Sequence, residues 1–182
     1  SPSKCYEIIN TNIKSFNCIV DTGNFAIEAE YILDFSNKRN RKYFGSSISR
    51  FMGVSVPSAI GISIANRNLP TICVTGDGGI SPYLSDIKII YNNQLPICIL
   101  LMSDGGFGSI ARAVPENSHY DAIYFDHFGW NNIIHSFGID SHTCNNQDEF
   151  YNYLTNWDQK KPLFIECKFD KEIYKKNTLD IR

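Results

Sequence analysis

The chain has almost no net charge, few methionines and tryptophans, and no long apolar run. Its 17 basic and 19 acidic side chains leave a formal charge of −2. That balance creates no field to draw the chain onto nucleic acid or an anionic membrane, and neither is expected as a partner. No apolar stretch approaches the roughly 20 residues that span a bilayer as a helix, and no charged-then-apolar leader opens the sequence. The six cysteines, at 5, 18, 73, 98, 144 and 167, include no Cys-x-x-Cys pair, which argues against a zinc site or a disulfide framework. Cys18, Cys73, Cys98 and Cys167 fall inside apolar runs and read as small buried residues of a reducing, cytoplasmic setting. Internal repeats and low-complexity segments are absent too. The basic run Lys38-Arg39-Asn40-Arg41-Lys42 reads as a solvated loop. The start at Ser1-Pro2-Ser3-Lys4, without methionine, suits an excised domain or a trimmed subunit.

What remains is the composition of one ordinary globular domain over residues 1–182, 43% hydrophobic and 20% charged. Apolar runs recur at Cys18–Asp21, Thr71–Val74, Ile97–Met102 and Leu163–Cys167, with a weaker one at Lys42–Gly45. Between them lie helix-length stretches at Phe25–Phe35, Val56–Ala65, Tyr83–Tyr91, Phe125–Phe137 and Asp148–Trp157. Near-continuous apolar strands alternating with helices predict an α/β fold. The sheet is expected to be doubly wound and mostly parallel, of about six strands, with helices on both faces. Pro57 suits the first turn of its helix, and Asn146 is placed to cap the helix carrying Phe150, Tyr153, Leu154 and Trp157.

Two of the strands end in the same unusual way. Thr71–Val74 runs into Thr75-Gly76-Asp77-Gly78-Gly79, and Ile97–Met102 into Ser103-Asp104-Gly105-Gly106-Phe107-Gly108. Asp77 and Asp104 are 27 positions apart, room for one strand end, a crossover helix and the next parallel strand. Both carboxylates therefore belong at the carboxyl edge of one parallel sheet, where open α/β folds bind ligands. Two hard oxygen ligands amid glycine amides suit a divalent cation carrying a diphosphate.

This pattern resembles the diphosphate signature of thiamine-diphosphate (ThDP) enzymes, Gly-Asp-Gly followed after roughly 25 residues by Asn-Asn. Phe51-Met52-Gly53-Val54-Ser55-Val56-Pro57-Ser58-Ala59-Ile60-Gly61 is similar to the Met-Gly-(x)₃-Pro-Ala-Ala-Ile-Gly segment of the acetolactate-synthase-like branch. Asp21-Thr22-Gly23-Asn24 resembles that branch's Asp-x-Gly-Gln, and Pro162-Leu163-Phe164-Ile165-Glu166 its last strand. The resemblance runs in order over nearly the whole chain. It implies the C-terminal diphosphate-binding domain of a ThDP- and Mg²⁺-dependent 2-oxoacid decarboxylase or carboligase, a lyase or transferase.

Residue by residue, the resemblance implies metal ligation by Asp77, Asp104 and the backbone carbonyl of Gly106. It implies cofactor contacts from Asn24, Met52, Gly76, Gly78, Gly79, Gly106 and Phe107, and from the backbone of Arg50. Met52 matches the bulky residue over which the cofactor bends. Five positions depart from the family pattern: Ser103-Asp104 replaces Asn-Asn, Arg50 replaces a glycine, Phe25 a histidine, and Gly79 a serine or alanine. Thr22 and Ser109 are hydroxyl candidates. His119 falls in the family's mobile-loop region, His127, His135 and His142 read as surface or packing residues, and none of the four is assigned acid–base work. The segment Ser109 to Tyr124 is expected to be mobile without the cofactor and its partner domain.

No residue of the chain is assigned as catalytic. The family's activating glutamate comes from a separate pyrimidine-binding domain without counterpart here, and Glu28 and Glu30 lie in the wrong place for it. That domain, on the same or another chain, is the expected partner, with a 2-oxoacid as substrate and a homo-oligomer as the assembly. An exposed apolar surface around Met52, Phe107 and the segment after Ser109 follows from that expectation. Two alternatives stay open: the small subunit of a split sulfopyruvate- or phosphonopyruvate-type decarboxylase, and a non-catalytic module with a degraded cofactor site.

Overall fold

A computed structural model describes residues 1–36, 40–45, 51–111, 114, 122–125 and 128–170. Within them six strands form one sheet, and every pairing is parallel. The strands are β1 (Phe16–Val20), β2 (Arg41–Gly45), β3 (Thr71–Gly76), β4 (Ile97–Ser103), β5 (Asp140–Cys144) and β6 (Leu163–Lys168), in the order β2-β1-β3-β4-β6-β5. The main helices are α1 (Pro2–Asn12), α2 (Asn24–Ile32), α3 (Ser55–Ala65), the short α4 (Asp77–Ile80), α5 (Ile87–Asn92), α6 (Gly108–Ala111), α7 (Trp130–Ser136) and α8 (Gln147–Asn156).

The central strands are mostly apolar because each face of the sheet has its own core; Asn17, Thr71, Thr75 and Glu166 are the buried polar exceptions in β1, β3 and β6. Alternate side chains point to opposite faces. Cys18, Val20, Ile72, Val74, Cys98, Leu100, Met102, Ile165 and Cys167 meet α1, α2 and α8. The intervening Ile19, Cys73, Ile97, Ile99, Leu101 and Phe164 meet α3, α5 and α7. All six cysteines are free and buried. Burial pushes the Cys73 thiol up to about 12, so it is an inert packing group at neutral pH. Phe150, Leu154 and Trp157 are core, and Tyr153 is half-buried and stacks on His142.

Several boundaries differ from the sequence pattern. The edge strand β5 reads Asp-Ser-His-Thr-Cys and pairs only with β6, so it needs no apolar run. Tyr83–Tyr91 is not one helix: a 3₁₀ turn over Ser81–Asp86, broken at Tyr83, precedes α5. Within Phe125–Phe137 only Trp130–Ser136 is regular helix. The expected cap of α8 is present, with Asn146 Oδ1 accepting from the Glu149 amide at 2.9 Å.

The chain passes outward from β1 to β2 and returns to the opposite side of β1 as β3. A crevice therefore opens at the carboxyl ends of β1 and β3, with β4 beside it. Directly after these three strands come Asp21, Asp77 (the first residue of α4) and Asp104.

Candidate active site

The crevice is a cleft of about 300 Å³. Its walls are Thr22 to Phe25 after β1, Gly76 to Gly79 after β3, and Asp104 with Gly106 to Ile110 after β4; Met52 also reaches it. Asp77 and Asp104, expected from their spacing at one edge of the sheet, do meet here.

Asp77 is buried and its carboxylate is crowded with donors. Oδ1 accepts from the Ser103 hydroxyl at 2.8 Å and the Trp130 indole N–H at 2.7 Å. Oδ2 accepts from the backbone amides of Asp104 at 3.0 Å and Gly105 at 3.1 Å. Burial pushes the Asp77 carboxyl above the ordinary carboxylate value, against the pull of these four hydrogen bonds.

Asp104 is partly buried, and its Oδ1 accepts from the Gly106 amide at 3.3 Å. Burial first, and then the charge of Asp77, push it up to about 7. Such a carboxyl binds its proton more tightly in the folded state. Its contribution to stability is complete below 3.8 and is lost as pH rises through about 7. In a chelating buffer the thermal midpoint is therefore expected to fall as pH is raised from about 5 to about 8. A cation held between the carboxylates would flatten that fall, and calorimetric scans with and without Mg²⁺ and ThDP measure the difference. A midpoint that rises over the same range would contradict the assignment.

A third carboxylate organises the wall. Asp21 is buried and accepts from the Thr22 amide at 2.8 Å, the Ser55 hydroxyl at 2.8 Å and the Thr75 hydroxyl at 3.2 Å. The Gly53 amide donates to both of its oxygens, at 2.9 and 3.0 Å. It thereby ties β1, β3 and the start of α3 together and fixes the turn that presents Met52. A Cβ on Gly79 would come within 2.6 Å of Asp21 Oδ2, so the glycine at this departure lets α4 lie against the carboxylate.

Met52 is 45% exposed. A Cβ on Gly78 would meet the Phe107 ring at 2.4 Å and Met52 Sδ at 2.8 Å, so a bare backbone faces the cleft between these two side chains. Asn24 is buried at the start of α2, and Ser109 lies on the opposite wall. Thr22 also lines the cleft, and its hydroxyl donates to the Phe51 carbonyl at 3.4 Å. Glu28 accepts from the Ser3 amide at 2.9 Å and Glu30 from the Tyr43 hydroxyl at 3.2 Å, so neither points into the cleft. His135 is exposed at the end of α7, and His142 lies 3.0 Å from Asp140 Oδ1 and stacks on Tyr153. Arg50, His119, His127 and most of Ser109–Tyr124 lie outside the described residues.

The family model for the thiamine pyrophosphate enzyme C-terminal TPP-binding domain matches residues 21–167. The chain belongs to that family. Among similar proteins, the acetolactate synthase isozyme 1 large subunit of Escherichia coli K12 is 27% identical over 112 residues, covering 60% of this chain and 20% of the relative. The acetolactate synthase large subunit of Porphyra purpurea is 22% identical over 174 residues, covering 87% of this chain and 30% of the relative. Among solved structures, a thiamine diphosphate-dependent 4-hydroxybenzoylformate decarboxylase from Rhodococcus jostii RHA1 superposes with a TM-score of 0.80 at 13% identity. That superposition covers 93% of this chain and 32% of the other, and it shows the same fold. The chain is a TPP-binding domain of the acetolactate-synthase-like branch, and it spans under a third of the relatives it matches.

Two residues of this TPP-binding domain were given no role by the motifs, although Asp21 opens the Asp21-Thr22-Gly23-Asn24 segment. Asp21 has the same signature as Asp77 and Asp104, a carboxylate directly after a buried strand, and that signal was available. Trp130 has none, because only the packing of α7 brings its indole to Asp77.

Proposed function

We propose that the domain holds the diphosphate of ThDP through Mg²⁺ bound by Asp77, Asp104 and the Gly106 carbonyl. One observation carries this reading. Among the described residues lining the cleft, Asp77 and Asp104 are the only charged side chains, and they are neighbours. An anionic diphosphate has no reason to enter such a cleft without a cation between it and the carboxylates. No group of three or more His, Cys, Asp or Glu able to hold a metal occurs among the described residues. Two carboxylates suffice for Mg²⁺, which takes its remaining oxygens from phosphate, carbonyl and water. The bare backbone at Gly78 lets the Phe107 ring and Met52 close against it as a cleft wall, and the first-turn amides of α4 lack partners inside that helix.

When bound, ThDP supplies the carbanion-stabilising chemistry that decarboxylates a 2-oxoacid and allows carboligation. This chain's residues bind and orient it: Met52 and Phe107 wall the cleft, Asn24 and the glycine amides face the phosphates, and the carboxylates hold the ion. The activating carboxylate comes from a pyrimidine-binding domain on the same or another chain. Met52 and Ile110 line the cleft and are 45% and 51% exposed, and Phe51 and Phe128 are 66% and 51% exposed; such apolar exposure favours a neighbour.

The test is a calorimetric titration of Mg²⁺ and ThDP with two substitutions at one position. Asp104→Asn keeps an oxygen ligand and is expected to retain binding within a few-fold, whereas Asp104→Leu is expected to lose at least about tenfold. Equal tolerance of both would make Asp104 a turn former and leave a non-catalytic module as the better reading.

A further inference from the structure

Asp77 carries as many hydrogen bonds as a carboxylate can accept. An ionised carboxylate offers about four lone-pair sites, two on each oxygen. Ser103 and Trp130 occupy those of Oδ1, and the amides of Asp104 and Gly105 those of Oδ2. A cation reaching Asp77 must therefore displace a donor.

The four donors are not equally able to leave. The two amides belong to the turn after β4, where Gly105 sits at φ +83° and its carbonyl accepts from the Phe125 amide at 2.7 Å. Removing them would unmake the turn. The Ser103 hydroxyl can rotate and turn a lone pair towards a nearby cation. The indole N–H of Trp130 is a donor only, and it would point its positive edge at the ion. The indole is the group that has to give way.

We propose that Trp130 is a positioning residue that holds the Asp77 carboxylate in the cation-free domain, and that its N–H is the donor exchanged when a divalent cation binds. The ring then sets how tightly the ion is held. This inference rests on the reading of the cleft as a cation–diphosphate site. The surroundings of the ring fit such an exchange. Trp130 opens α7, and it stacks at 5.0 Å on Phe128, which is half exposed. Phe128 meets Phe125 at 6.1 Å, and Phe125 meets Phe107 at 4.9 Å. Phe107 walls the cleft over Gly78, so four rings in succession connect Asp77's indole partner to the cofactor side.

The indole N–H resonances of ¹⁵N-labelled chain read the exchange directly. The sequence has two tryptophans, and Trp157 donates to the Lys161 carbonyl at 2.7 Å, which makes it an internal reference. Titration with MgCl₂ in excess ThDP is expected to move the Trp130 signal towards that of a free indole and leave Trp157 in place. Trp130→Phe keeps the ring stack without the donor, and it is expected to bind Mg²⁺ about tenfold more tightly, the worth of one hydrogen bond to a charged group. If Mg²⁺ moves the Asp104 and Gly106 amides while the Trp130 signal stays fixed, the exchange is refuted and the cation site stands. The exchange is equally refuted if Trp130→Phe folds and binds with unchanged or weaker affinity. If no resonance moves, the cation site falls and the proposal with it. The wild-type spectrum decides between these outcomes even if Trp130→Phe does not fold.

Discussion

Asp77→Ala is expected to abolish Mg²⁺-dependent retention of ThDP, a loss of at least about 100-fold by calorimetry. The substitution does more than delete one ligand. It removes the acceptor for the Ser103 hydroxyl, the Trp130 indole and two turn amides, all at the buried end of β4. With Asp77 gone, Asp104 keeps the burial that raises its pKa but loses the neighbouring charge that adds to it, and one carboxylate remains to face an ion that needs a hard oxygen cage. A circular dichroism melt separates lost binding from lost folding, and Asp77→Asn serves as the milder variant because its amide oxygen keeps part of the acceptor set. Unchanged affinity in folded Asp77→Ala would sink the assignment of this residue as the principal metal ligand.

Asp21→Ala is expected to produce the largest loss of stability of any substitution around the cleft, about 3–5 kcal/mol in urea unfolding. Its carboxylate lies under the cleft wall, and the Gly53 amide and the Ser55 and Thr75 hydroxyls that point at it are themselves buried. Removing the acceptor leaves these donors without a partner in a place water does not reach, and each orphan costs about 1–3 kcal/mol. The packing of Gly79 against Asp21 carries the damage to α4, so weaker ThDP binding should accompany the loss. A destabilisation below about 1 kcal/mol would show that water or a rearranged turn replaces the carboxylate. Asp21 would then have no organising role.

Asp77 and Asp21 stand in the sequence in the same way, yet only one was legible as functional. Asp77 sits between glycines at the end of an apolar run, and packing explains that poorly. Asp21 ends the run Cys18-Ile19-Val20 as plainly, but apart from the Thr22 amide its partners lie 32 to 54 positions away and nothing local announces them. Three of the departures from the family pattern also acquired reasons from the fold. Gly79 is where a Cβ would strike Asp21, and Ser103 places a hydroxyl on Asp77 Oδ1. Phe25 is buried in the core beneath the cleft, with its backbone carbonyl accepting from the Tyr6 hydroxyl at 2.9 Å.

The sequence by itself determined the alternation of buried strands and helices, and with it a parallel sheet covered on both faces. A strand buried on both sides must be apolar at most positions, and that leaves a readable run. It also determined that Asp77 and Asp104 share one edge of the sheet, because the length between them admits a single crossover. The edge strand β5 and the broken helix over Tyr83–Tyr91 were not determined in this way, since a half-exposed strand and a 3₁₀ turn tolerate almost any polar sequence. Only the tertiary structure decided what surrounds each carboxylate. Ser103 and Trp130 reach Asp77 across 26 and 53 positions, distances closed by the sheet order and the docking of α7, and no local pattern encodes them.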